Sequence, residues 1–231
     1  MGSTEQCSAR MNGGKETGPD VDRQQTEKAP EMILRSTLTS PYGRKVRMAA
    51  DILGLSRRIN VVPADPLDEA DALRQQNPLG KMPCLILQDG TTIYDSRVIV
   101  EYLQELAGSE RLLPSRGRER FRMLTTATLA DGITDAALLM VYERRFRPPE
   151  SVSQKWLDHQ RGKVARALCA FEQSPPDARC STLATIALAC ALGYLDWRKP
   201  MTWRSDWPRL AGWLASYAEQ EPAFLRTQAP N

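Results

Sequence analysis

Residues 77–102 have the sequence Asn-Pro-Leu-Gly-Lys-Met-Pro-Cys-Leu-Ile-Leu-Gln-Asp-Gly-Thr-Thr-Ile-Tyr-Asp-Ser-Arg-Val-Ile-Val-Glu-Tyr, which is the most informative part of this chain. Two runs of strand-forming residues, 84–87 and 91–94, flank Asp89-Gly90. This pattern predicts a β-hairpin, because glycine adopts the positive φ that a tight turn requires. A helix is predicted to begin at Asp95-Ser96, since both residue types cap helix N-termini.

A proline stands immediately before the first of these strands. Pro83 cannot donate a hydrogen bond to a sheet, so its position indicates a strand start, an edge or a turn. If the Met82–Pro83 peptide bond is cis, the chain bends there and the backbone groups of Met82 are free to pair with another molecule. Open backbone groups beside a helix N-terminus predict a surface that binds a peptide-like ligand.

This stretch resembles the glutathione-binding half of the thioredoxin-like domain in glutathione transferases. The similarity begins at residues 32–38, a predicted strand, and continues through residues 39–47, Thr-Ser-Pro-Tyr-Gly-Arg-Lys-Val-Arg, a predicted helix. The runs 129–136 and 183–198 resemble the helical domain of a bacterial branch of that family, so the similarity covers about residues 32–228. It implies an α/β thioredoxin-like N-terminal domain followed by an all-α helical-bundle C-terminal domain.

Hydrophobic periodicity and chain breakers suggest the domain boundaries. Residues 1–31 are polar and aperiodic, which predicts a disordered N-terminal tail. Residues 32–107 show the order β-α-β-α-β-β-α of the glutathione-binding domain, and residues 108–117 form a linker with Gly and Pro. Residues 118–228 contain only helical patterns. The helices predicted there cover residues 118–142, 151–173, 182–197 and 207–219.

Composition excludes several classes of function. The net charge of +3 is too small to indicate nucleic-acid binding. No apolar run approaches the length of a membrane span and the N-terminal residues lack a signal-peptide core, so a soluble cytoplasmic protein is expected. The scattered cysteines and the one histidine form no zinc set, so no metal is expected. Cys84, Cys169 and Cys190 lie in apolar stretches and are predicted to be core residues, whereas Cys7 lies in the tail.

Ser40 is the candidate catalytic residue. Because Ser followed by Pro is a favourable start for a helix, a simple cap is one interpretation. A thiolate at this N-terminus would also face unpaired N–H groups, the positive end of the helix dipole and the serine hydroxyl. The resemblance implies this second role, since Ser-type transferases activate the glutathione thiol with the serine of a Ser-Pro-aromatic motif. Thr39 is the alternative if the loop is shifted by one residue, and Tyr42 is predicted to pack.

The resemblance implies further contacts with glutathione. Met82 would pair with the cysteinyl unit through its backbone alone, beside a cis Pro83. Asp95 would attract the ammonium of the γ-glutamyl end, and Ser96 would bind its carboxylate at the positive end of a helix dipole. Both could also act only as helix caps. Lys81 would reach a glutathione carboxylate, with an ordinary solvated lysine as the alternative.

Two further groups of residues lie on helical faces. Four side chains of the helix predicted from residue 118 share one face and would line the pocket for the second substrate, although such a stripe also suits a core. They are Asp131, Asp135, Leu139 and Tyr142. On the first helix, Arg44, Lys45 and Arg47 form a basic face that is expected to be solvated, with Arg44 able to lie near the ligand.

The resemblance favours an enzyme that uses glutathione as co-substrate without a metal. The thiolate would attack a small hydrophobic electrophile in conjugation, peroxide reduction or dehalogenation, as in detoxification, and the family implies a homodimer. The alternative is a catalytically weak glutathione-binding protein that serves stress regulation or protein interaction. Reduction of mixed disulfides is disfavoured, because position 40 is a serine rather than a cysteine.

Overall fold

The computed structural model of the chain describes residues 31–230. Its N-terminal half is built on a mixed sheet with the strand order β2-β1-β3-β4. The strands are β1 (Met32–Arg35), β2 (Ile59–Val62), β3 (Cys84–Ile86) and β4 (Thr92–Ile93). β1 pairs in parallel with β2 and antiparallel with β3, and β3 pairs antiparallel with β4. Residues 1–30, which hold Cys7 and nearly all of the predicted tail, lie outside the described residues.

Three helices accompany this sheet. They are α1 (Pro41–Ile52), α2 (Leu73–Gln76) and α3 (Ser96–Leu106). α1 supplies the crossover that the parallel β1–β2 pair needs, and it packs against α3. Leu34 and Leu85 belong to the main core, whereas Cys84 forms a separate small cluster with Leu73, as expected from the alternation of side chains along a strand. α2, the second helix of the predicted order, is a single turn of four residues.

The predicted hairpin is present. Gly90 has a φ of 84°, and the Asp89 carboxylate accepts a hydrogen bond of 2.8 Å from the Thr91 N–H. Asparagine and aspartate favour such turns because their side chains bond to the backbone two residues further on. The turn chemistry visible in the sequence therefore sets the register of β3 and β4.

The C-terminal half is entirely helical. It contains α4 (Arg118–Arg145), α5 (Gln154–Gln173), α6 (Leu183–Arg198), α7 (Pro208–Gln220) and α8 (Pro222–Arg226). α4 packs mainly against α5 and α6. α8 was not predicted, because five residues are too few to show a helical period. The predicted fold class, a thioredoxin-like α/β half followed by an all-α half, is confirmed.

α6 is buried along nearly its whole length and begins with a capping box made of two hydroxyls. Thr182 Oγ1 accepts from the Thr185 N–H at 3.3 Å, and Thr185 Oγ1 accepts from the Thr182 N–H at 2.8 Å. Thr185 Oγ1 also donates to the carbonyl of Cys180 at 2.8 Å. A carboxylate could not make this last bond, because it has no proton to donate. Threonine therefore suits this buried helix start.

One hydrophobic core joins the two halves. It includes Leu34 in the sheet and Ile186 in α6, and α1 packs directly against α6. The buried side chain of Gln104, in α3, donates to the carbonyl of Leu113 at 2.6 Å and accepts from its N–H at 2.7 Å; Leu113 lies in the segment before α4. The segment after α3 is therefore held in place. The division of the chain into two domains joined by a linker at residues 108–117 remains a prediction.

α4 is long and apolar enough, by length and composition, to cross a membrane, and it is the only such helix among residues 31–230. The sequence-based expectation that no apolar run approaches the length of a membrane span did not take α4 into account. α4 carries the buried acids Asp131 and Glu143, both of which form ion pairs, and it packs between α5 and α6. These contacts are those of the central helix of a bundle.

The cysteine prediction holds at two of three positions. Cys84 and Cys190 are buried, as expected for small apolar side chains. Cys169 is exposed, so its assignment to the core was wrong. Its sulfur accepts a hydrogen bond from the Trp207 indole N–H at 3.4 Å, at the edge of the bundle. An apolar pattern with helical spacing identifies the buried face of a helix, but it does not decide whether a residue at the edge of that face is buried or exposed.

Candidate functional site

Ser40 caps α1 and keeps its own proton available. Its hydroxyl oxygen accepts a hydrogen bond of 3.1 Å from the Gly43 N–H, and Pro41 occupies the first helical position. The residue is 8% exposed. Among residues 31–230, the Ser40 O–H donates no hydrogen bond. The same hydroxyl can therefore cap the helix and donate to a ligand atom in front of it.

Gly43 allows the loop before α1 to approach the helix closely. A Cβ at this position would lie 2.0 Å from the Ser36 Oγ, which is nearer than any real contact. Ser36 is buried. Glycine is thus required for packing here rather than for a special φ, and the packing sets where Ser40 lies.

The loop before β3 lies against the loop that carries Ser40. The Met82–Pro83 peptide bond is cis. The Met82 Sδ accepts from the Thr37 N–H at 3.3 Å and from the Thr37 hydroxyl at 3.5 Å. Within the described part of the chain, the backbone N–H and C=O of Met82 have no partner. The Met82 side chain, which has no predicted contact with the ligand, therefore joins the two loops and leaves the backbone open.

Asn77 shapes the same loop and was not identified from the sequence. It is buried, its Nδ2 donates to the Lys81 carbonyl at 2.7 Å, and its Oδ1 accepts from the Leu79 N–H at 3.1 Å. An asparagine before a proline is a turn signal that could have pointed to it. Lys81 itself is exposed, with its side chain free to reach a ligand.

The start of α3 presents a second helix N-terminus. The Asp95 carboxylate caps the helix by accepting from the Arg97 N–H at 2.9 Å, and the Tyr94–Asp95 peptide bond is cis. Ser96 is buried, yet its hydroxyl has no hydrogen-bond partner among the residues described. The capping interpretation of Asp95 is thus realised. The unused Ser96 hydroxyl remains available to an anionic group at the helix N-terminus.

Asp131 lies at the centre of a buried ion-pair network. Both of its carboxylate oxygens accept from the Lys45 ammonium, at 2.8 and 2.9 Å, and one also accepts from the Arg97 Nε at 3.0 Å. This hydrogen bond, followed by the Asp131 charge, raises the pKa of Arg97. Lys45 is 1% and Asp131 4% exposed. The expectation that Lys45 is solvated was wrong, and Asp131 joins α1, α3 and α4 instead of lining a pocket.

Asp135 is also bound to α1. The Tyr42 hydroxyl donates to its carboxylate, and burial followed by this hydrogen bond raises the pKa of Tyr42. Tyr42 therefore does more than pack. Leu139 and Tyr142 lie further along α4 and border an open groove at the outer end of that helix, away from Ser40. The structure does not bring the four predicted pocket residues together around Ser40.

A different cavity adjoins Ser40, and we call it the Ser40 cavity. Its volume of about 320 Å³ is in the range of small-molecule sites. It lies between the start of α1, the end of α6 and the C-terminal helices α7 and α8. Its walls include Ser40, Arg44, Gly193, Tyr194, Trp197 and Phe224.

Arg44 is buried in the wall of this cavity, so the expectation of a solvated side chain was wrong for it as well. Its Nη2 donates to the Phe224 carbonyl at 2.7 Å, and its guanidinium lies 4.2 Å from the centre of the Phe224 ring. Burial lowers the pKa of Arg44. The half-buried Arg47 donates to the carbonyls of Leu38 and Thr227. This face of α1 is covered because the C-terminal segment returns to it.

No group of three or more His, Cys, Asp or Glu side chains within residues 31–230 is arranged to hold a metal ion. The ligand surface instead consists of two helix N-termini, where the Ser40 and Ser96 O–H groups are free to donate, and of the unpaired backbone groups of Met82. Such a surface suits a peptide-like molecule with an anionic end and a thiol.

Comparison with known proteins identifies the family. The family model for the glutathione S-transferase N-terminal domain matches residues 39–106. The uncharacterized GST-like protein YibF of Escherichia coli K12 is 34% identical over 204 residues, which cover 86% of this chain and 99% of that protein.

Solved structures agree with this relationship. A glutathione transferase family member from Pseudomonas fluorescens Pf-5 with bound glutathione is 41% identical, with a TM-score of 0.81, over 87% of this chain and all of that one. The Pf-5 family member with bound S-(propanoic acid)-glutathione is 40% identical, with a TM-score of 0.77, over 86% of this chain and all of that one. The chain therefore belongs to the glutathione transferase family.

Proposed function

We propose that this protein binds glutathione across Ser40, Met82 and Ser96 and activates its thiol for attack on a small hydrophobic electrophile. The free O–H of Ser40 at the N-terminus of α1 is the observation that carries the proposal. A sulfur placed there receives a hydrogen bond from Ser40 and the field of the helix dipole. Both favour the thiolate over the thiol.

The size of this effect is sufficient for catalysis. A free thiol with a pKa of about 8.5 is roughly 3% ionised at pH 7, and a pKa lower by one unit brings this to about a quarter. Positioning of the electrophile beside the sulfur then supplies further acceleration. The protein would need no metal and no additional base, because the thiol proton can leave to solvent when glutathione binds.

The other parts of glutathione are expected to bind the unpaired backbone and side-chain groups of this surface. The N–H and C=O of Met82 pair with the cysteinyl unit, as an added strand pairs with a sheet edge. The Ser96 hydroxyl and N–H hold the γ-glutamyl carboxylate, and Asp95 attracts the neighbouring ammonium. The exposed Lys81 binds the carboxylate at the other end. The relative that holds S-(propanoic acid)-glutathione contains a thioether of glutathione, the kind of product that conjugation forms.

The proposal includes a cytoplasmic homodimer that acts in detoxification. α3 and α4 are neighbours, joined by the Glu101–Arg120 and Arg97–Asp131 ion pairs, and they expose the apolar side chains of Val98 and Phe121. A second subunit could cover this surface. Light scattering during size-exclusion chromatography is expected to give twice the mass of one chain, and the mass of a single chain would contradict the dimer.

Calorimetry and kinetics test the catalytic proposal. Wild-type protein is expected to bind glutathione and to conjugate it with chlorodinitrobenzene. Ser40→Ala should retain binding, lose at least about tenfold in kcat at pH 7, and shift the pH profile of kcat upward by about one unit. Thr39→Ala is the matched control and should leave binding, kcat and the pH profile unchanged.

Other outcomes have clear meanings. Loss of activity in Thr39→Ala but not in Ser40→Ala would assign activation to Thr39. Binding without turnover of any electrophile would favour the regulatory, catalytically weak protein. No binding of glutathione would refute the proposal as a whole.

A further inference from the structure

Arg44 is a buried cation without a negative partner. It is 7% exposed, its one hydrogen bond goes to the neutral carbonyl of Phe224, and its Nε has no partner. Arg204 also borders the Ser40 cavity, but both oxygens of Asp196 accept from its guanidinium, at 2.9 and 2.6 Å. Of the cations that line this cavity in the described chain, Arg44 is therefore the one without a carboxylate.

The helix opposite Arg44 leaves room for its guanidinium. A Cβ at Gly193 would lie 2.5 Å from the Arg44 Nη1, so any larger residue would displace the group. Gly193 lies inside α6, where glycine is less favourable than alanine, so its presence there has a packing reason. Both residues line the Ser40 cavity, so the guanidinium lies at its wall.

A buried charge without a partner is unfavourable, and the lowered pKa of Arg44 reflects this burial. An anion in the cavity would supply the missing partner. Carboxylates bind guanidinium groups strongly, through charge-assisted hydrogen bonds. The aromatic side chains of Tyr194, Trp197 and Phe224 provide apolar walls next to this charge.

We propose that the Ser40 cavity is the second-substrate site and takes a hydrophobic electrophile that carries a carboxylate, which Arg44 holds. This inference rests on the proposed function, because it requires a glutathione sulfur at Ser40. Glutathione's own carboxylates are assigned to Ser96, at the start of α3, and to Lys81, in the loop before β3. Arg44 instead faces α6 and α8, so it recognises the other substrate.

The reaction with an aryl halide illustrates the step. The glutathione thiol loses its proton to solvent, and a sulfur lone pair forms a C–S bond to the ring carbon that bears chlorine. The C–Cl bond then breaks and chloride leaves with the bonding electron pair. Arg44 takes no part in these changes; it binds the carboxylate and orients the ring.

Two probes that differ by one carboxylate test the proposal: chlorodinitrobenzene and chlorodinitrobenzoate. The measured quantity is the ratio of kcat/KM for the carboxylated probe to that for the neutral probe. This ratio does not depend on the fraction of folded enzyme, so it remains informative if a variant is unstable. Arg44→Met is expected to lower this ratio at least about tenfold. The free energy of a hydrogen bond between charged groups exceeds the free energy that corresponds to a tenfold change in kcat/KM.

Controls separate this role from general effects. Arg44→Lys should lower the ratio less than Arg44→Met does, because lysine keeps the positive charge but has fewer hydrogen-bond donors. Arg47→Met removes another partly buried arginine of α1, outside the cavity wall, and should leave the ratio unchanged. The KM for glutathione should be the same in all three variants. An unchanged ratio in Arg44→Met, or a raised KM for glutathione alone, would overturn the proposal.

A binding measurement keeps the inference testable if conjugation itself fails. Calorimetry with the two preformed glutathione conjugates should show tighter binding of the carboxylated one to wild-type protein, and Arg44→Met should abolish the preference. Equal binding of both conjugates to wild type would refute the anion site. Absence of turnover with the preference intact would refute only the proposed catalysis.

Discussion

Replacement of Asp131 by asparagine is expected to reveal how much the buried ion pair stabilises the fold. The amide would keep the shape of the side chain but would leave the Lys45 ammonium without a counter-charge. The two paired side chains are 2% and 6% exposed. Breaking a buried pair of this kind costs about 3–5 kcal/mol. For a chain of this length, each kcal/mol lowers Tm by about 2–4 °C, so a fall of about 6–20 °C is expected.

The matched variant removes the other cation from the same carboxylate. The Arg97 side chain is 48% exposed, so water can replace its contact with Asp131. Arg97→Gln is therefore expected to cost only about 0–1 kcal/mol. The double variant Lys45→Met with Asp131→Leu removes both buried charges and should be more stable than Asp131→Asn alone.

Urea unfolding followed by circular dichroism measures these free energies, and thermal scans give Tm. Equal losses in Asp131→Asn and Arg97→Gln would refute the reasoning, because they would mean that burial of Lys45 does not matter. Kinetics below the unfolding transition provide a second check. A structural Asp131 leaves the KM for the electrophile unchanged, whereas a pocket residue would raise it without a loss of stability.

Three further outcomes are expected. Gly43→Ala places a Cβ 2.0 Å from a serine hydroxyl and should reduce both Tm and conjugation, whereas Gly132→Ala, where the space is open, should raise the free energy of unfolding by up to about 1 kcal/mol. Thr185→Asp buries a charge and leaves a carbonyl without its donor, so urea titration should show a loss of at least about 1–3 kcal/mol. Burial raises the pKa of Tyr194 to about 12. Because the unfolded chain loses this proton first, near pH 10, stability falls as pH rises from about 10 to 12, and Tyr194→Phe should make that fall less steep by about 1.4 kcal/mol per pH unit. No difference between the slopes of the two proteins would contradict this assignment.

Features that depend on neighbouring residues could be predicted from the sequence. The hairpin turn at Gly90, the caps at Ser40 and Asp95, and the threonine capping box of α6 each involve a side chain and a backbone group within three residues of one another. Local geometry alone is enough to satisfy them, because φ preferences and capping bonds do not need a tertiary partner. The order of these features along the chain indicated the fold class.

Burial of charged residues could not be predicted in this way. Arg44, Lys45 and Arg47 have the composition of a solvated helix face, and Asp131 has the spacing of a pocket residue. Lys45 and Asp131 are 86 residues apart, and Arg44 contacts Phe224 across 180 residues. A pattern within one helix carries no information about which distant element covers it.

By themselves, the residues of this protein indicated most of its secondary structure and its helix caps, because short-range hydrogen bonds and backbone preferences set these. The candidate glutathione surface came from the resemblance to glutathione transferases. Only the tertiary structure decided which charges are buried and where the cavity beside Ser40 lies. The return of α6, α7 and α8 to α1 encloses that cavity, and it leaves Arg44 inside without a counter-charge.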